Sequence, residues 1–220
     1  EVLVEGFPAQ LYATNCWIIA PSSGSECIII DPGMPDVSTE VDHIVARHKL
    51  KPVAVIATHG HLDHTFSIQP IADGYDIPAR IHVEDRKLLA QPQLALSPEF
   101  AQTLSSLTFN EPRSVHELRN GDTFSLLDIP ITAIHAPGHT KGSMMFILNQ
   151  EILVSGDVLF KGSIGRTDLP TGSHRDMMET LRTKVMPLAD DLRVLPGHGE
   201  ETTIKYERKY NPYLKELARG

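Results

Sequence analysis

The stretch VAVIATHGHLDH, residues 53–64, joins a continuous apolar run from Val53 to Ala57 to three histidines and one aspartate packed into six residues. Such a run bounded by turn residues reads as a buried strand, so the histidines fall on a loop at its C-terminal end, where α/β folds commonly build their sites. Imidazoles and carboxylates at this density are the ligand types of transition-metal centres. In an extended loop His59 and His61 can face one side while Asp63 and His64 turn to another, so that one loop feeds two neighbouring ions. A lone surface HxH rarely binds metal; HxHxDH directly after an apolar strand is a far more specific pattern.

Further along the chain the same arrangement recurs three times. His139 stands in APGHTKG, Asp157 in VSGDVLF and His198 in LPGHG, each after an apolar run and each beside glycine. Glycine lets the backbone turn tightly next to an ion, and the preceding strand fixes the ligand's position. The remaining histidines, His43, His48, His82, His116, His135 and His174, have no such context and read as structural or surface groups; His135, just before the PGHT turn, packs or supports a ligand from behind.

Around these sites NCWIIA and ECIIID, separated by PSSGS, read as two strands and a turn, followed by the breaker DPGMPD. Val37, Val41, Ile44, Val45 and His48 recur at spacings of three and four, which predicts a helix over 37–49 with Asp36 as N-cap. After His64 the pattern predicts a helix, a strand near 79–82 and helical stretches near 84–90 and 98–107. Four short strands follow, at 123–127, 131–136, 143–148 and 151–155, then a helix over 176–185, a strand over 192–195 and terminal helices after Glu201. Two β-rich halves, each followed by helices, imply two stacked mixed sheets with helices outside. The expected class is α/β (α+β), built as one domain over residues 1–220.

Composition narrows the function. A net charge of −8, with no cluster of Lys and Arg, argues against a protein that neutralises phosphates, so nucleic acid is not an expected partner. No apolar run approaches the roughly 20 residues that cross a bilayer. The opening EVLVEGF lacks the order of a signal peptide, although a chain that begins at Glu1 can have lost an N-terminal segment. The expectation is a cytoplasmic protein acting on a small molecule, of oligomeric state unspecified. Cys16 and Cys27, lying in successive strands, read as small buried hydrophobes rather than a disulfide.

With THGHLDH, PGHT, GDVLF and LPGHG in this order and approximate spacing, the chain resembles the metallo-β-lactamase superfamily over nearly its whole length. That resemblance implies a four-layer αββα sandwich. It implies that His59, His61 and His139 hold one metal ion, that Asp63, His64 and His198 hold a second, and that Asp157 bridges them. The cofactors implied are two divalent transition ions, zinc first, with iron or manganese as alternatives. β-Lactamases of this fold commonly place a cysteine at the second metal, where this chain has none. Flavodiiron proteins carry a carboxylate where His61 stands, and processing ribonucleases add an RNA-binding arm.

The segment LFKGSIGRTDLPTGSH, residues 159–174, resembles the GRTD signature of glyoxalase II-like proteins, the hydroxyacylglutathione hydrolases. The expected activity is thioester hydrolysis by hydroxide at neutral pH, with Asp63 orienting the water or accepting its proton. The related persulfide dioxygenases share GRTD and hold one iron on three positions, here His59, His139 and Asp157; they are the alternative, and a non-catalytic binding scaffold is a distant third. Lys161 and Arg166 are candidates to meet a substrate carboxylate, Arg166 alternatively pairing with Asp168, while Tyr206, Arg208, Lys209 and Tyr210 are candidates for a pocket rim. Longer glyoxalase II enzymes carry a C-terminal helical domain, whereas here only about twenty residues follow His198.

Overall fold

The apolar runs on either side of the histidine loop become adjacent strands of one six-stranded sheet. The computed structural model describes residues 2–126 and 128–220. The first sheet takes β1 (Leu3–Pro8), β2 (Asn15–Ala20), β3 (Glu26–Ile30), β4 (Lys51–Ile56), β5 (Ala79–His82) and β6 (Val115–Leu118) in that order. β1 to β3 form an antiparallel meander, and β3 to β6 run parallel. Between the parallel strands lie α1 (Val37–Arg47), α2 (Leu62–Thr65), α3 (Ile68–Gly74) and α4 (Pro98–Thr103).

The second sheet uses β7 (Thr123–Leu126), β8 (Ile129–His135), β9 (Met144–Leu148) and β10 (Ile152–Gly156), then, past the small hairpin β11 (Leu159–Phe160) and β12 (Ser163–Ile164), β13 (Arg193–Pro196) and β14 (Thr202–Thr203). Its order is β14-β13-β10-β9-β8-β7, with β10 and β13 parallel. α5 (His174–Thr180) runs into a π turn at Leu181–Val185, and α6 (Ile204–Tyr210) and α7 (Pro212–Arg219) close the chain.

Alternation along the strands assigns residues to layers. In β3 Cys27 and Ile29 face the helices while Ile28 and Ile30 face the other sheet; in β9 Met144, Phe146 and Leu148 face the first sheet while Met145 packs outward. Because both faces are covered, the runs are apolar throughout instead of alternating with polar residues. Three cores result: one between the first sheet and α1 and α3, one between the sheets, and one beneath α5, α6 and α7. The expected αββα sandwich is the observed one.

Several local expectations are corrected. Asp36 precedes α1 but makes no side-chain cap; its Oδ2 instead accepts from Gln10 N at 3.0 Å. The helix expected over 98–107 stops at Thr103, and that over 84–90 is a 3-10 turn at Arg86–Leu89. β1 and β6 were missed because they are edge strands, half-exposed and of mixed polarity, with Gly6 and Pro8 in β1. The strand expected over 123–127 is β7; Leu127 itself lies outside the described residues, as does Glu1. Cys16 and Cys27 are buried free thiols on the same face of the first sheet. Among the described residues no helix is long and apolar enough to cross a membrane.

Candidate metal centre

Four chain segments deliver the singled-out residues to one place, each from the C-terminal end of a strand. β4 delivers His59, and His61 leads into α2, whose first turn carries Asp63 and His64, with His64 N donating to His61 O at 2.9 Å. β8 is followed by the turn bearing His139, β10 by Asp157 and β13 by His198. Two glycines are required by geometry. Gly156, at φ +53, lies at the register shift of β10 that directs Asp157 inward. A Cβ at Gly197 would lie 2.1 Å from Asp157 Oδ1 and 2.8 Å from His64 Cε1, so a side chain there would fill the space beside the cluster.

All seven residues meet. His59, His61 and His139 form one group of mutually close donor atoms and Asp63, His64 and His198 another. Asp157 Oδ2 is the hub: it lies 3.2 Å from His64 Nε2, 3.3 Å from His139 Nε2, 3.3 Å from His198 Nε2 and 3.8 Å from His59 Nε2. Asp63 Oδ2 is 3.4 Å from Nε2 of both His64 and His198, and His61 Nδ1 is 2.9 Å from His139 Nε2. Metal–nitrogen bonds of about 2.0–2.1 Å in tetrahedral geometry place neighbouring ligand atoms roughly 3.3 Å apart. The spacings of 3.3–3.4 Å around Asp157 Oδ2 and Asp63 Oδ2 match that value, while the 2.9 Å between His61 and His139 is a hydrogen-bond distance. His59 Nε2 and Asp157 Oδ1 are buried without any hydrogen-bond partner, a costly state that a cation in the cluster would relieve for groups aimed at it.

The electrostatics divide the cluster in two. Burial, reinforced by the neighbouring imidazoles, pushes His59 well below the ordinary histidine pKa and His61 to about 3, which keeps both in the neutral form that ligates metals. For His64 and His198 burial acts in the same direction, but the facing carboxylates outweigh it: His64 lies well above the ordinary value and His198 at about 9. Asp63 and Asp157 are held well below the carboxylate range, since the histidines beside them prevail over burial. The cluster therefore attracts positive charge.

Behind the cluster stand residues that the sequence reading did not single out. Asp31, closing the ECIIID run, accepts from His64 Nδ1 at 2.8 Å, Thr58 N at 2.8 Å and Thr58 Oγ1 at 2.7 Å. Asp85 accepts from Gly60 N, Gly142 N and Thr140 Oγ1 at 2.8, 2.8 and 2.7 Å, tying the His59–His61 loop to the His139 turn. Thr14 Oγ1 donates to Asp63 Oδ2 at 2.6 Å, and Asn15 Nδ2 donates to the carbonyls of Pro196 and Gly199, bracing the His198 turn. Full burial of Asp31 and Asp85 is the signal that marks them, and it exists only in the fold.

Other candidates lie outside the cluster. Arg166 forms a bidentate, exposed pair with Asp168 at 2.7 and 2.9 Å, while its carbonyl oxygen lies 2.7 Å from His139 Nδ1. Lys161 pairs with Glu200 at 2.8 Å and sits 5.3 Å from the ring centre of Tyr206. Arg208 is not on a rim: it bonds Asp190 and the carbonyls of Met186 and Leu188. Lys209 lies over the ring of Tyr210. His135 stacks on His82 at 4.1 Å and bonds the Lys141 carbonyl instead of backing a ligand.

Residues 9–198 match the family model described as Metallo-beta-lactamase superfamily. A Mycobacterium tuberculosis protein is 42% identical over 225 residues, covering 99% of this chain and all of its own. The hydroxyacylglutathione hydrolase GloC of Haemophilus influenzae is 32% identical over 96% of this chain and 97% of its own. Among solved structures, BLEG-1 B3 metallo-beta-lactamase superposes with a TM-score of 0.83 at 29% identity, covering 96% of this chain and 99% of its own. TTHA1623 in a di-iron-bound form superposes with a TM-score of 0.79 at 27% identity, covering 96% and 100%.

Proposed function

Because this chain belongs to the metallo-β-lactamase superfamily, we propose that it is a two-metal hydrolase of small-molecule thioesters, similar in its chemistry to the hydroxyacylglutathione hydrolases. The observation that carries the reading is the complete seven-residue cluster with Asp157 Oδ2 within 3.2–3.8 Å of four imidazole nitrogens. His59, His61 and His139 would hold one ion, Asp63, His64 and His198 a second, and Asp157, central to both trios, would contribute to each. When bound there, divalent transition ions lower the pKa of water from about 15.7 towards 7 and act as Lewis acids on a carbonyl.

The chain's own residues do the rest. Asp63 is held ionised, its Oδ2 fixed by Thr14, and its side chain borders the open cleft at about a quarter exposure. Its carboxylate orients the attacking water or accepts its proton. Asp31 fixes the ring of His64 through Nδ1, so Nε2 always points at the cluster. Hydrolysis adds the water oxygen to the carbonyl carbon, breaks the C–S bond and returns a proton to the departing thiolate. No serine or cysteine nucleophile is needed; both cysteines are fully buried on the helix-covered face of the first sheet. Lys161 and Arg166 are the candidate contacts for a substrate carboxylate, either exchanging its present carboxylate partner for the substrate's.

The supporting relative is the GloC protein, similar over nearly the full length of both chains. The test is elemental analysis of protein purified without added metal, followed by S-lactoylglutathione and glutathione persulfide assays on zinc-loaded and iron-loaded protein. Thiol release in the zinc form is expected. Oxygen uptake confined to the iron form, with negligible thioester cleavage in either, would replace hydrolysis with persulfide oxidation.

A further inference from the structure

Over the metal cluster opens a cleft of about 580 Å³ whose floor is formed by His61, Asp63, His139, Asp157 and His198. Its walls are apolar. One wall is the loop after β1, where Leu11 and Tyr12 remain 55% and 48% exposed, with Tyr12 at φ +69 and Ala13 at φ +54. The facing wall carries Leu96, Phe100, Leu104 and Leu107, from α4 and the segments on either side of it, which together present one apolar stripe to the cleft. No residue of α4 is buried, and Leu107 is 50% exposed: this stripe is not packed into a core. The rings of Tyr12 and Phe100, 6.1 Å apart edge to face, link the two walls.

Above the floor, charge on the lining is scarce. Arg166 is the single Lys or Arg on it among the described residues, and its guanidinium already holds Asp168 in two hydrogen bonds. Lys161 borders a separate opening of about 310 Å³ on another side of His198, with Phe160, Gly199 and Glu200. The two openings therefore differ in chemistry, and the imidazole of His198 lines both.

We propose that the apolar cleft takes the acyl arm of the substrate, and that this arm is an extended alkyl or arylalkyl group rather than a small hydroxyacyl group, with the polar thiol arm directed towards Lys161. The inference rests on the thioester reading and names its substrate class. A hydroxyacyl group such as lactoyl is too short to reach from the cluster along the Leu and Phe stripe and would leave it wet. An alkyl chain covers the stripe, and each buried methylene should improve binding roughly three- to fourfold.

The experiment uses the metal-loaded full chain and glutathione thioesters of increasing acyl length, S-acetyl, S-butyryl, S-hexanoyl and S-phenylacetyl beside S-lactoyl, with thiol release followed. Calorimetric binding of the unreactive S-methyl, S-butyl and S-hexyl thioethers runs in parallel. The expected result is a rise in kcat/KM of at least roughly tenfold from acetyl to hexanoyl, a matching rise in thioether affinity, and loss of both slopes in Phe100→Ser and Leu104→Asn, which should fold because neither residue is in a core. Thioester cleavage with no dependence on acyl length, or with S-lactoyl preferred, would overturn the acyl-arm proposal and leave the hydrolase reading standing. Thioether affinity rising with length without any thioester cleavage would sink the hydrolase reading and retain the apolar specificity of the cleft. Flat affinity and no cleavage would remove both.

Discussion

His64 Nδ1 and Asp31 Oδ2 lie 2.8 Å apart, thirty-three residues apart in sequence, in a pair that solvent does not reach. The same carboxylate also accepts both the backbone N–H and the hydroxyl of Thr58, the residue before His59. One buried acid thus orients a histidine of the second trio and the loop that begins the first. It fixes which nitrogen of His64 carries the proton and which faces the cluster.

Asp31→Asn should therefore weaken metal binding without deleting any proposed ligand. The expected loss is about 10- to 100-fold in affinity for one of the two ions, read by competition with a chromophoric chelator. Two undiminished affinities would show that Asp31 only supports the strand end.

Asp157→Ala and His59→Ala remove the hub and a member of the first trio. Both proteins should lose metal, measured by elemental analysis, and lose thioester cleavage together. Chelation of the unmodified protein should have the same effect on activity and lower its thermal midpoint, because ions that bind only the folded cluster stabilise it. A fully active Asp157→Ala protein would remove the two-metal assignment.

Asp85→Ala leaves the N–H groups of Gly60 and Gly142 buried without their acceptor. An unsatisfied buried donor costs roughly 1–3 kcal/mol, so a loss of about 3 kcal/mol is expected in urea unfolding of the metal-free protein. A loss below about 1 kcal/mol would mean that the two loops are held by other contacts.

His82 predicts a pH dependence of stability. Burial, helped by His135 stacked on it and by Arg119, outweighs Glu84 and Asp122 and lowers its pKa from 6.5 to about 4. Between those values the unfolded chain binds a proton that the folded chain refuses, so this contribution is fully present above pH 6.5 and is lost as pH falls towards 4. Urea midpoints at pH 7 and pH 5 should therefore converge between the native protein and His82→Gln as pH falls. A pH-independent difference between the two would assign the effect to packing alone.

Much of the site was legible because each proposed ligand announces itself locally. His59, His139, Asp157 and His198 each follow an apolar strand and sit beside glycine or within a histidine cluster, a pattern readable within a dozen residues. The edge strands β1 and β6 were not legible, since one half-exposed side removes the apolar continuity that marked β3, β4 and β10.

The sequence by itself determined the layers and the candidate ligand set: strand alternation sorts side chains between two faces, and the turn chemistry after each strand fixes where a candidate ligand can stand. Only the tertiary structure decided that Asp31, read as part of a breaker, orients His64, and that Asp85, read within a helical stretch, locks two loops together. It alone decided that the stripe on α4 turns to the cleft instead of a core. The reason is physical: local patterns record what each residue does within its own element, whereas pairings such as Asp85 with Gly142, fifty-seven residues apart, follow from the order in which strands assemble, which no short stretch encodes.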